Sequence, residues 1–110
     1  MQFSRNSLSD VFDISDCNLA SEKAIEYVHR ARRIHKIRGL KLCSNKLTTA
    51  GFEKLTEFMQ GVSNINVANN QITEAVFEAI LKYRDRLESL KAINLTHNPI
   101  TLDKKAASRL

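Results

Sequence analysis

Cysteine, proline, glycine and aromatic residues are all scarce in this chain, and each shortage closes off a class of protein. Cys17 and Cys43 are the two cysteines in 110 residues. They are too few for a disulfide-dense framework, and without a CxxC or a Cys/His cluster they suggest no zinc site. One proline and three glycines exclude collagen and Pro-rich linkers. Gly39, Gly51 and Gly61 stand isolated, so no phosphate-cradling loop is present, and neither HExxH nor EF-hand spacing occurs. No stretch approaches the roughly 20 apolar residues of a membrane span. The opening MQFSRNSLSDVF has no continuous apolar run of the signal-peptide kind. A soluble, cytoplasmic protein is therefore expected. At this length the chain should form a single domain over residues 1–110, burying roughly 60% or more of its surface without help from a metal or a disulfide.

What the sequence does have is internal repetition. The segments IRGLKLCSNKL from Ile37, VSNINVANNQI from Val62 and LKAINLTHNPI from Leu90 share apolar residues at the first, fourth, sixth and eleventh places. All three have Asn at the ninth place: Asn45, Asn70 and Asn98. An earlier copy, SDVFDISDCNL from Ser9, keeps Phe12, Ile14 and Leu19 but has Cys17 at the marker place. Cys17, Asn45, Asn70 and Asn98 are spaced 28, 25 and 28 residues apart. Such a period signals stacked supersecondary units.

These copies resemble the leucine-rich repeat family, whose pattern is L-x-x-L-x-L-x-x-N/C-x-L with periods of about 20–29 residues. The long period and the LTTAGFEKLTEFM continuation after Asn45 look most like the ribonuclease-inhibitor-type subclass, although Lys23, Val76 and Lys104 stand where Gly51 matches it. The resemblance implies an α/β fold, a short right-handed horseshoe solenoid. Parallel strands would line its concave face and helices its convex face. About four repeats are expected, near residues 9–36, 37–61, 62–89 and 90–110.

Residue patterns agree with that expectation. KLCSN, INVAN and INLTH alternate apolar and polar residues at period 2, as half-buried strands do. Between them the apolar period becomes helical. Its stripes are Ala24, Ile25, Val28 and Ala31, then Phe52, Leu55, Phe58 and Met59, then Phe77, Ile80 and Leu81. Ser21, Thr48 or Thr49, Thr73 and Thr101 fall where N-caps belong, the last opening a helix TLDKKAASRL, and Gly61 falls where the second helix should stop. An asparagine at each strand end can pair backbone groups that a turn leaves unpaired, and Cys17 fills the same place as a structural residue.

The outward strand positions are Asp13, Ser15 and Asp16, then Lys41, Cys43 and Ser44, then Asn66, Ala68 and Asn69, then Asn94, Thr96 and His97. A Cys, a His and an Asp on one face invite comparison with a nucleophile system. With strands about 4.8 Å apart, however, Cys43 and His97 would be about 10 Å apart, and Asp16 and His97 about 14 Å. Those separations are far beyond hydrogen-bond reach, so an enzyme is not expected, nor a cofactor. Partner binding through Asp13, Asp16, Lys41, Asn66, Asn94 and His97 is the leading expectation. No large aromatic anchor accompanies them.

Charge offers a second surface. HRARRIHKIR, residues 29–38, holds Arg30, Arg32, Arg33, Lys36 and Arg38 with no acid, and so accounts for the whole formal charge of +5. Cations at a helix end complement the helix dipole and need no further role. The alternative reading is an electrostatic adaptor in which this run binds RNA or an anionic membrane. No aromatics are interleaved to stack bases, so such binding would be phosphate-driven and salt-sensitive. Stacked units also leave two ends to cover, by residues 1–8 with Phe3 and Leu8, by the last helix, or within a larger assembly.

Overall fold

The computed structural model describes residues 2–5 and 10–101. The order is β1 (Gln2–Arg5), β2 (Asp10–Asp13), α1 (Ser21–Ile34), β3 (Gly39–Lys41), α2 (Thr49–Leu55), β4 (Asn64–Asn66), α3 (Val76–Lys82) and β5 (Ala92–Asn94). A 3-10 turn at Thr56–Phe58 extends α2. This is an α/β fold. β2 to β5 are parallel neighbours in chain order, and β1 pairs antiparallel with β2. Each parallel pair needs a crossover of a dozen residues or more, and the intervening helical segments provide it.

The register explains the alternation in sequence. Phe12, Leu40, Ile65 and Ile93 are aligned across β2 to β5. The first three are buried, and Ile93 on the edge strand is half-buried. Leu42, Leu47, Val67 and Ile72 extend that core beyond the strands, and the helices close it with Ala24, Val28, Phe52, Leu55, Met59 and Val76. Three-residue strands are short, but the pairing runs on past them. Ile14, Leu42 and Val67 donate their N–H groups to the carbonyls of Lys41, Asn66 and Asn94. Asp16, Ser44 and Asn69 donate to Cys43, Ala68 and Thr96.

Helix starts follow from local chemistry. Thr48 caps α2, its hydroxyl accepting from the Gly51 N–H at 3.1 Å. Ser21 is already the first residue of α1 and caps nothing in its own helix. Instead Ser21 Oγ accepts from the Thr48 N–H, which stitches the two helix starts together. Thr49 Oγ1 likewise accepts from the Thr73 N–H, while α3 starts at Val76 without a side-chain cap. Thr48→Ala removes the cap but leaves the Ser21 contact to its backbone, so the expected loss is about 1 kcal/mol of unfolding free energy in a urea titration. Gly61 takes a left-handed φ of 82° just after the 3-10 turn and redirects the chain into β4.

The inward stripe expected for α3 needs correction. Leu81 is 51% exposed. At 3.6 residues per turn it stands about 140° around α3 from the buried Val76, so Val76 and Ala79 form the inward stripe and Phe77 and Ile80 its half-buried flank. Leu87, in the turns after α3, is buried in its place. The expected fourth helix lies, apart from Thr101, outside the described residues, as do Leu8, Ser9 and Lys104. No helix among the described residues is long and apolar enough to cross a membrane.

Candidate functional site

Among the described residues, helices cover one face of the sheet and leave the other uncovered. In register across β2 to β5, that uncovered face carries a row of four polar side chains: Asp13, Lys41, Asn66 and Asn94. Neighbouring strands are about 4.8 Å apart, so the row spans about 14 Å. Lys41 and Asn94 are exposed, Asp13 and Asn66 half-buried. Beside it runs a row of small residues, Val11, Gly39, Asn64 and Ala92. The row of small residues, together with Lys41, Asn66 and Asn94, lines a hollow of about 280 Å³.

The polar row is partly self-paired. Asp13 Oδ1 accepts from the Ser15 N–H at 2.9 Å, Asn66 Oδ1 from the Ala68 N–H at 3.0 Å, and Asn94 Oδ1 from the Thr96 N–H at 3.0 Å. An Asp or Asn two residues before a turn makes this local bond readily. The second polar atom of each side chain, and the Lys41 ammonium, have no partner among the described residues. The row therefore holds its own geometry and still offers an acid, a cation and two amides.

Asp16 and His97, expected as strand residues, sit instead in the turns that follow. Asp16, Ser44, Asn69 and His97 each stand one residue before a marker residue, and all adopt left-handed φ between 57° and 58° except Asn69 at 53°. Asp, Asn and His tolerate this conformation better than most non-glycine residues. Asp16 and His97 are exposed at the two ends of this row, and Asn69 Nδ2 donates to Ser44 Oγ at 3.1 Å between them. Cys43 Sγ donates to Ser15 Oγ at 3.0 Å, so the thiol is paired with a hydroxyl rather than with a base. Among the described residues no group of three His, Cys, Asp or Glu side chains is placed to hold a metal.

The marker residues hold these turns together. Asn45 Oδ1 accepts from the Cys17 and Leu19 N–H groups, and its Nδ2 donates to the Ile14 and Leu42 carbonyls. Asn70 accepts from Leu47 and donates to Leu42, Val67 and Ala68, and Asn98 accepts from Asn70 and Ile72 and donates to Val67 and Leu95. Each asparagine thus binds both its own turn and the preceding one. The Cys17 side chain bonds within its own turn, Sγ donating to the Ser15 carbonyl at 3.3 Å. The neighbour of β2 on the other side is β1, paired antiparallel.

The basic run divides. Arg30 Nη2 pairs with Glu26 at 2.8 Å. Arg32 turns inward, donating to the Gln60 carbonyl at 2.8 Å, and burial lowers its pKa from the ordinary arginine value. Arg33, Lys36 and Arg38 are exposed and form no ion pair among the described residues. A cation that sequence reasoning missed lies beside them. Lys91 donates its N–H to the Ser63 carbonyl, and Ser63 donates to that of Arg38. The signal was there, since Arg38, Ser63 and Lys91 each hold the second place of their segment. No family model and no curated protein matches the chain.

Proposed function

We propose that this chain is a leucine-rich repeat solenoid of about four units, of ribonuclease-inhibitor-like type, acting as a non-enzymatic intracellular adaptor whose concave sheet face binds a partner protein. The marker spacing of 28, 25 and 28 residues, the strictly ordered parallel strands and the asparagine bonds between successive turns support the fold reading. A fold alone does not assign a function. The observation that carries the functional reading is the row Asp13, Lys41, Asn66 and Asn94, in register and uncovered, with hydrogen-bonding atoms left over after its internal bonds. Asp16 and His97 extend it at the level of the turns.

Affinity capture from native lysate, followed by direct binding of each captured protein to the purified chain, tests this. Asn66→Arg with Asn94→Arg places two long cations in the row and should weaken a true partner at least about tenfold, a loss of roughly 1.4 kcal/mol. Charge reversal of Arg33, Lys36 and Arg38 should leave that partner bound. A partner indifferent to the double variant would place the contact elsewhere and overturn the reading.

A further inference from the structure

We propose that the edge of the molecule where helices hand over to strands is a docking surface for an anionic membrane. This surface is separate from the sheet face discussed above and does not depend on the reading given to it.

Three observations converge. Backbone bonds set Asp10, Arg38, Ser63 and Lys91 side by side at the starts of β2 to β5, a row with one acid at its first strand and cations at its second and fourth. Two strand spacings then put the two exposed cations about 10 Å apart along one edge. Arg33 and Lys36 join that edge from the end of α1 and its loop, and none of the four cations is paired among the described residues. Finally, the last residue of α1, Ile34, is 77% exposed and shares a shallow hollow with Arg30 and Arg33.

A large apolar side chain held in water beside the unpaired Arg33 and the Glu26-paired Arg30 is what distinguishes the candidate partners. RNA would use the cations, but it gives Ile34 nothing to enter and finds no free aromatic platform on this edge. Tyr83 is already covered by Lys82 and Arg86, and His29, in the basic run itself, is stacked on Phe58. A lipid interface accepts both features at once, with headgroup phosphates and carboxylates meeting the cations and Ile34 reaching the acyl boundary. Surface potential fades within a Debye length of about 8 Å, so cations contribute only when they lie near one plane. The backbone ladder sets Arg38 and Lys91 in such an arrangement.

The full-length chain is to be floated with vesicles of phosphatidylcholine containing about 30% phosphatidylserine, and with pure phosphatidylcholine, at low and high salt. Binding is expected to the anionic vesicles alone and to fall about tenfold or more as salt is raised. Lys91→Glu should weaken it several-fold, whereas Lys46→Glu, the same charge change on an exposed lysine at the far ends of the strands, should not. Ile34→Ser should weaken it while preserving the salt dependence. Circular dichroism checks that each variant is folded. No binding at low salt, equal effects of the two lysine reversals, or tighter binding to a single-stranded RNA lost with the same variants would each overturn the proposal.

Discussion

Asn45→Ala is expected to lower the unfolding free energy by about 3–4 kcal/mol, a large part of the stability of a domain this size. Asn45 is 8% exposed, and water cannot readily replace its amide. Its loss leaves the Cys17 N–H, the Leu19 N–H and the Ile14 carbonyl without their bonds, whereas the Leu42 carbonyl keeps Asn70 and the Cys43 carbonyl keeps the Asp16 N–H. Three orphaned groups at about 1 kcal/mol each account for the figure. Asn45→Asp should be no rescue, since the two N–H groups keep their acceptor while an oxygen replaces the donor facing the Ile14 and Leu42 carbonyls. Asn98→Ala should cost about 1 kcal/mol, because that side chain is half-exposed and water can serve the freed groups. Urea titrations of the series decide it. Equal losses at positions 45 and 98 would mean that exposure to water does not set the cost of breaking a tie.

Gly51→Ala should destabilise the chain by about 2–3 kcal/mol, although alanine is the better helix former by about 1 kcal/mol. A Cβ at position 51 would fall on Ser21 Oγ and Cβ and come within 3.1 Å of Leu47 Cδ1. Neither neighbour can yield freely. Ser21 is held by the Thr48 N–H, and Leu47 is fully buried. Relief requires α1 to move off α2. The control is Ser21→Gly: in that background Gly51→Ala should become nearly neutral, giving a coupling energy of about 2 kcal/mol in the double-mutant cycle. A coupling near zero would show that the two helix starts are not locked at this point.

Much of this architecture was legible in the sequence. Alternation in KLCSN and INVAN marked the inward residues Leu42 and Val67, and the helical stripes identified Val28, Phe52, Leu55 and Met59 as core. The phase of α3 was misread because Leu81 shares its composition with a core residue. Only the position of Val76 beneath the sheet sets the rotation. The candidate row was legible as a set of outward positions, but its internal bonding was not, because a local Asx bond depends on the turn conformation two residues later. Arg32 illustrates the same limit. Nothing in HRARRIHKIR separates an inward guanidinium from its exposed neighbours until the Gln60 carbonyl, 28 residues away, arrives beside it.

The asparagine ties all point the same way. Asn98 holds amides at 70 and 72, Asn70 holds the one at 47, and Asn45 holds those at 17 and 19. Each turn is therefore clamped by the one that follows it in the chain. A transient opening near Asn98 bares the amide protons at 70 and 72 in the turn before it, whereas an opening near Leu19 bares the one at Lys46 in the turn after. Exchange with solvent is thus coupled between neighbouring turns, through the asparagine ties toward the earlier turn and through the Lys46 and Gln71 amides toward the later one. A proton at Leu19 gauges the closure of a segment 26 residues further along.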